Sequence, residues 1–212
     1  VMHDQVIAVS NVEFFPIIAD VEIADFCRGL ALGAELGAAR AVCHIHDTQG
    51  DRAADNLRNF ADLAARYGLC VGLEFMGMTA GCRSLRQAIW FVEQVARPNL
   101  GIAIDMLHLV RTGGTAADIA ALDSRYFSYA QICDGRGLHV SNDYMGEALG
   151  RELPGDGDFP LQAIIEALPF SCPLDIEVPR SKLASRTIST DEWAREAISR
   201  SRELVDRSEV GR

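Results

Sequence analysis

Glu74, Asp105, Gln131 and Glu177 share a placement: each lies at or near the end of an apolar run that reads as a buried β-strand. The runs are "LCVGLEFMG" (69–77), "LGIAID" (100–105), "YFSYAQICD" (126–134) and "CPLDIEVP" (172–179). Three carboxylates and one amide, with no lysine or arginine in the adjoining strand sequence, would repel one another if they met. A divalent cation resolves that repulsion, and an all-oxygen set suits Mg²⁺ or Mn²⁺ better than a thiolate-seeking metal. His108 follows Asp105 by three residues, and His44 and His46 stand two apart on a further strand-like run, hence on one face. Taken singly, a strand-end acid is more often a helix cap, and a lone histidine more often a partner of a backbone carbonyl. Four successive strands with the same ending favour a shared site. For His44 and His46, a pocket-lining role and a structural role weigh equally, and Asp175 reads as structural.

The elements that must position these groups alternate along the chain. Strand-like runs at 5–15, 39–46, 69–77, 100–104, 126–134 and 172–179 are each followed by a stretch with helical spacing of apolar residues. Helix signals are clear: Gly68 stops one helix, Ser84 with Gln87 forms a capping-box pattern, and Ser189 with Glu192 forms another. Further helices are expected near 115–122 and from Asp158, with Pro160 in the first turn. Regular βα alternation with apolar strands predicts a parallel sheet covered by helices. "DTQGDR" after the second strand holds one glycine, so no dinucleotide fingerprint is present. The strand endings instead favour a (β/α)8 barrel of the TIM type, in which C-terminal strand ends share one face. Between Asp134 and Asp158 runs a long loop carrying Arg136, Tyr144, Met145 and Arg151. Its second half, Arg151 to Gly157, is expected to lie against the pocket, whereas a solvated insertion is as good a reading of its first half.

At 212 residues the chain fits a single domain, 1–212. A net charge of −10 disfavours a phosphate-backbone partner, so no nucleic acid is expected. No run approaches membrane-spanning length, so no membrane partner is expected either. The six cysteines form no C-x-x-C pair, which points to reduced thiols and a cytoplasmic setting.

"GLEF", "LGIAIDMLHLVRTGG", "YAQICD", "RELPGDGDFPL" and "LDIEV", in this order, resemble the xylose isomerase-like TIM-barrel superfamily of sugar isomerases and epimerases. The resemblance implies that Glu74, Asp105, Gln131 and Glu177 are metal ligands and that His108 and Arg151 contact substrate. Many members carry histidine where this chain has Gln131, a departure shared with a subset that includes metal-dependent 3-dehydroshikimate dehydratases. Members have eight βα units against about six here, so the first strand matches the third unit and two N-terminal units are expected to be absent. Such a partial barrel has open sheet edges that invite pairing with another chain, a route to a homo-oligomer.

The leading expectation is a divalent-metal-dependent isomerase or epimerase of a sugar or related small hydroxy-ketone, working through an enediolate. Mn²⁺ or Mg²⁺ is the expected cofactor, with Co²⁺ and Zn²⁺ as alternatives. Glu74 and Glu177 would be the acid/base pair, His108 would hydrogen-bond a substrate oxygen, and Arg151, with His44 and His46, would hold the substrate. A lyase of the 3-dehydroshikimate dehydratase type is the second reading, with Arg136, Arg151 and Arg180 as anchors for a carboxylate. A catalytically silent barrel fragment that serves as a binding module is the third. The superfamily's apurinic endonucleases, which need a histidine-rich zinc set, fit poorly with five histidines and this charge.

Overall fold

The computed structural model describes residues 7–140, 142–180 and 188–210. Six strands are hydrogen-bonded in chain order, β1 through β6. They are β1 (Asn11–Ile17), β2 (Arg40–Ile45), β3 (Cys70–Glu74), β4 (Leu100–Asp105), β5 (Phe127–Ile132) and β6 (Leu174–Ile176). By contact density the chain divides into two compact units, Val1–Ala103 with Arg125–Ser128, and Ile104–Ser124 with Tyr129–Arg212.

In the first unit β1 to β4 pair in parallel, in the register Ile17 to Ile45, His44 to Glu74 and Glu74 to Ala103. Between them lie α1 (Cys27–Glu35), α2 (Gly50–Arg66) and α3 (Leu85–Val95). The helical stretch after β1 opens with a 3₁₀ turn at Ile23–Phe26 leading into α1. On α2, Ala53, Ala54, Leu57, Phe60, Ala61 and Ala64 form the buried stripe that the 3.6-residue period requires. Phe60 meets Phe15 and Phe26 at ring-centroid distances of 5.1 and 5.7 Å. Burying each such ring contributes about 1.5–3 kcal/mol. Ser84 caps α3 through Gln87 N, and Ala96 ends it with φ 50. Gly101 has a steric cause, because a Cβ there would come within 2.8 Å of Ser128 N. No side chain fits where β4 approaches the start of β5.

The second unit contains the end of β4, α4 (Met106–Arg111), α5 (Ala116–Ala120), most of β5, α6 (Tyr144–Ala148), α7 (Leu161–Ala167), β6 and α8 (Thr190–Val210). β5 and β6 are parallel, with Gln131 opposite Asp175. α4 and α6 were not anticipated, being too short for helical periodicity to register. Except at β4, which runs one residue further than the expected 100–104, the expected strands are longer than the observed ones. Residues 7–10 carry no strand, and β6 has three residues in place of eight. α7 starts at Leu161, with Pro160 at its N-cap. Among the described residues no helix is long and apolar enough to cross a membrane.

Candidate active site

In the first unit Glu74 ends β3 and is 5% exposed. His44 sits opposite it on β2, and its Nε2 lies 2.6 Å from Glu74 Oε2. An ionised carboxylate only accepts, so the imidazole donates. Phe14 stacks on the other side of the His44 ring at 4.9 Å. His46 shares that face, 6.4 Å from His44 between ring centroids, and is exposed. Burial, and then the nearby His44 charge, hold the His46 pKa below the usual imidazole value. Thus His44 is bound directly to one of the expected acids, and His46 is its exposed neighbour.

The second unit holds the other site groups. Asp105 is fully buried at the end of β4 and does two things. Its Oδ1 accepts from Leu107 N at 2.7 Å, capping α4, and its Oδ2 lies 2.7 Å from Arg151 Nη1. Arg151 Nη2 lies 3.1 Å from Glu177 Oε1, and Gln131 Nε2 donates to Glu177 Oε2 at 2.7 Å. One buried guanidinium therefore links two of the expected metal ligands, and an amide ties in a third. Burial alone would raise the Asp105 pKa, but the Arg151 guanidinium outweighs it, and the carboxyl stays below the usual range. Burial likewise opposes the Arg151 charge, but the carboxylates of Asp105 and Glu177 hold it protonated.

Beside the expected cation, the acids thus have a compensating charge from the protein itself. The compensating charge is distant in sequence: Arg151 enters from the loop, with its backbone N–H on Pro179 O at 3.0 Å. Two buried oxygens, Gln131 Oε1 and Asp105 Oδ2, nevertheless accept no aligned hydrogen bond among the described residues. Asp105 Oδ2 has an ion pair without hydrogen-bond geometry, and Gln131 Oε1 has neither. Both are hard oxygen donors, the kind a Mg²⁺ or Mn²⁺ ion accepts.

The turn that delivers Arg151 is built around Asp134. Its Oδ1 accepts from Gly135 N and Phe159 N at 2.8 and 3.1 Å, and its Oδ2 from Gly155 N at 2.9 Å. Leu153 to Asp156 is a turn closed by Asp156 N on Leu153 O, with Gly155 at φ 89 as its third residue. A Cβ at Gly157 would lie 2.2 Å from Asp134 Oδ1, which excludes any side chain there.

Arg111 and Glu147 went unrecognised, and Tyr144 was expected only as one of the residues carried by the long loop. Arg111 on α4 is buried and forms a bidentate pair with Glu147 on α6, both contacts at 2.8 Å. Tyr144, on the same helix, puts its hydroxyl 2.8 Å from His108 Nδ1. The first half of the loop is therefore docked, not a free insertion. The i, i+3 spacing of His108 with Arg111, and of Tyr144 with Glu147, was the signal available in sequence. The proposed carboxylate anchors are otherwise engaged. Arg136 is mostly exposed and pairs with Glu152 at 3.3 Å, while Arg180 donates to Ile188 O and Thr190 Oγ1 at 2.6 and 3.0 Å.

Residues 17–204 match the xylose isomerase-like TIM barrel family. The chain belongs to that family. A 3-dehydroshikimate dehydratase of Pseudomonas aeruginosa is 30% identical over 128 residues, 59% of this chain and 20% of that protein. An inosose isomerase of Bacillus velezensis is 26% identical over 153 residues, 68% of this chain and 54% of the relative. The matches thus span a fifth and about half of those two proteins. Among solved structures, IolI protein with a binding zinc atom superposes with a TM-score of 0.80 at 20% identity, covering 97% of this chain and 80% of that one. The fold is that of the TIM barrel, as the strand endings predicted.

Proposed function

We propose that this family member is a divalent-metal-dependent isomerase or epimerase of a small hydroxy-ketone, a sugar or sugar derivative. The observation that carries the reading is the set of Asp105, Gln131 and Glu177 around the buried Arg151, with two buried oxygens of Asp105 and Gln131 left without hydrogen bonds. By the sequence resemblance, Asp105, Gln131 and Glu177, with Glu74, would hold the ion, which would supply positive charge to an oxyanion developing on the substrate. The zinc of the IolI structure and the isomerase name of one relative support the reading.

The protein's own groups supply the proton chemistry. Glu177 is 37% exposed at its side chain, so solvent and substrate reach it. It takes the proton from the carbon beside the carbonyl. Glu74, once it has taken the proton that His44 donates to it at 2.6 Å, would return that proton, to the same carbon for epimerisation or to the next for isomerisation. His108 donates to a substrate oxygen. Arg151 keeps Asp105 ionised and faces the substrate's polar end. The lack of a C-x-x-C pair among the six cysteines supports a cytoplasmic setting.

A second reading has its own support: elimination of water beside a carbonyl, as in a dehydratase. Gln131 in place of histidine and the 30% identity to the 3-dehydroshikimate dehydratase favour it. Incubation of Mn²⁺-loaded protein with ketoses in D₂O, followed by NMR, separates the two. Deuterium at a carbon next to the carbonyl supports the isomerase. Ultraviolet absorbance of a catechol acid from 3-dehydroshikimate, with no such exchange, replaces it with the lyase.

A further inference from the structure

α6 buries none of its five residues, and Met145 within it and Leu149 at its C-cap are 55% and 64% exposed. A helix this short is unstable alone, and here it has no buried apolar face to dock it. What fastens it is polar. Arg111 gives Nε and Nη2 to the two oxygens of Glu147, and spends Nη1 on Gly137 O at 2.7 Å and Nη2 again on Arg136 O at 2.8 Å. Its guanidinium also lies 4.9 Å from the Phe159 ring centroid. Four hydrogen bonds and a ring contact thus use nearly the whole donor set of one buried arginine.

The pairing is in register. His108 and Arg111 are one turn apart on α4, Tyr144 and Glu147 one turn apart on α6, so fixing the second pair aligns the first. Tyr144 OH meets His108 Nδ1 at 2.8 Å, and His108 Nε2 lies 3.6 Å from Asp105 Oδ2, beyond hydrogen-bond reach. A lone pair facing that buried carboxylate is unfavourable, so the ring proton belongs on Nε2 and the tyrosine hydroxyl donates to Nδ1.

We infer that the Arg111–Glu147 pair clamps α6 onto α4 so that the Tyr144 hydroxyl fixes the orientation and tautomer of His108. Arg111, Glu147 and Tyr144 are positioning residues, and their value to catalysis rests on the proposed role of His108 as a donor to substrate. Two-bond ¹H–¹⁵N correlation spectra of ¹⁵N-histidine-labelled full-length protein test this, with His108 assigned from the His108→Gln spectrum. In the unsubstituted protein the His108 nitrogens are well separated in shift, with the proton on Nε2. In Tyr144→Phe, which removes one hydroxyl, and in Glu147→Gln, which loosens the clamp, the two shifts move toward each other as tautomers exchange. Thermal melts confirm that both variants are folded. An unchanged His108 signal in Tyr144→Phe overturns the inference even if the protein proves to be an isomerase. The measurement needs neither substrate nor turnover, so a shifted signal upholds it even if no ketose reacts.

Discussion

Arg151 Nη1 lies 2.7 Å from Asp105 Oδ2, with neither side chain more than 3% exposed. The contact joins the end of β4 to a loop residue 46 positions later in sequence. It makes the arginine part of the acid cluster as well as a candidate for touching substrate.

Removing one partner of a buried ion pair leaves the other charge uncompensated, at a cost of about 3–5 kcal/mol. Arg151→Ala is therefore expected to lose stability on that scale in urea unfolding at neutral pH, and to lose turnover as well. A loss within the range of a surface substitution, about 0.5 kcal/mol, would sink the structural half of this assignment.

Gln131→Leu keeps the volume and removes a buried amide oxygen of the cluster that has no hydrogen-bond partner among the described residues. Loss of even an outer partner of a metal ligand costs ~10–100-fold in affinity, so loss of a direct one should cost at least ~10-fold. Calorimetric titration with Mn²⁺ reads this directly. Equal affinity in the two proteins removes Gln131 from the ligand set.

Glu177→Gln preserves the shape of the side chain but cannot take a proton. Turnover should fall by ~10²–10⁴-fold, with the melting temperature little changed. Near-native rates with metal bound would assign the base elsewhere.

Asp134 accepts three backbone N–H groups, and each buried donor left without a partner costs about 1–3 kcal/mol. Asp134→Ala should accordingly destabilise by ~3 kcal/mol or more. Gly157→Ala should mimic it, because its Cβ displaces the same carboxylate. Amide exchange across residues 151–159 distinguishes loss of this turn from global unfolding.

Asp47 sits before α2 and takes both Arg52 contacts at 2.7 Å. The Arg52 hydrogen bond, aided by Gln49 N, holds its carboxyl below the usual range against the effect of burial. A depressed native pKa means that the stabilisation is fully present above the unfolded value of about 3.9 and fades as pH falls through the native one. Asp47→Asn should lower the urea midpoint at pH 7, and the gap should close below about pH 4. A gap independent of pH would show that the carboxylate charge is not responsible.

The alternation of apolar runs with helical spacing determined the βα order and thus the fold class, because those periods are local properties of the chain. The same alternation placed Glu74, Asp105, Gln131 and Glu177 at strand ends, and the Ser84 cap was legible for the same reason. Strand limits were overestimated at β1, β3 and β6, since pairing partners and not residue type decide where a ladder stops. What Asp105 faces, by contrast, was decided by tertiary structure. The charge that balances it lies 46 residues away, on a loop whose path is set by Asp134 and by a turn that needs Gly155 at positive φ. The docking of α6 was equally hidden, because a five-residue helix with no buried side chain has no hydrophobic pattern to read. Its place depends on a pairing of side chains that only the folded chain brings within 2.8 Å.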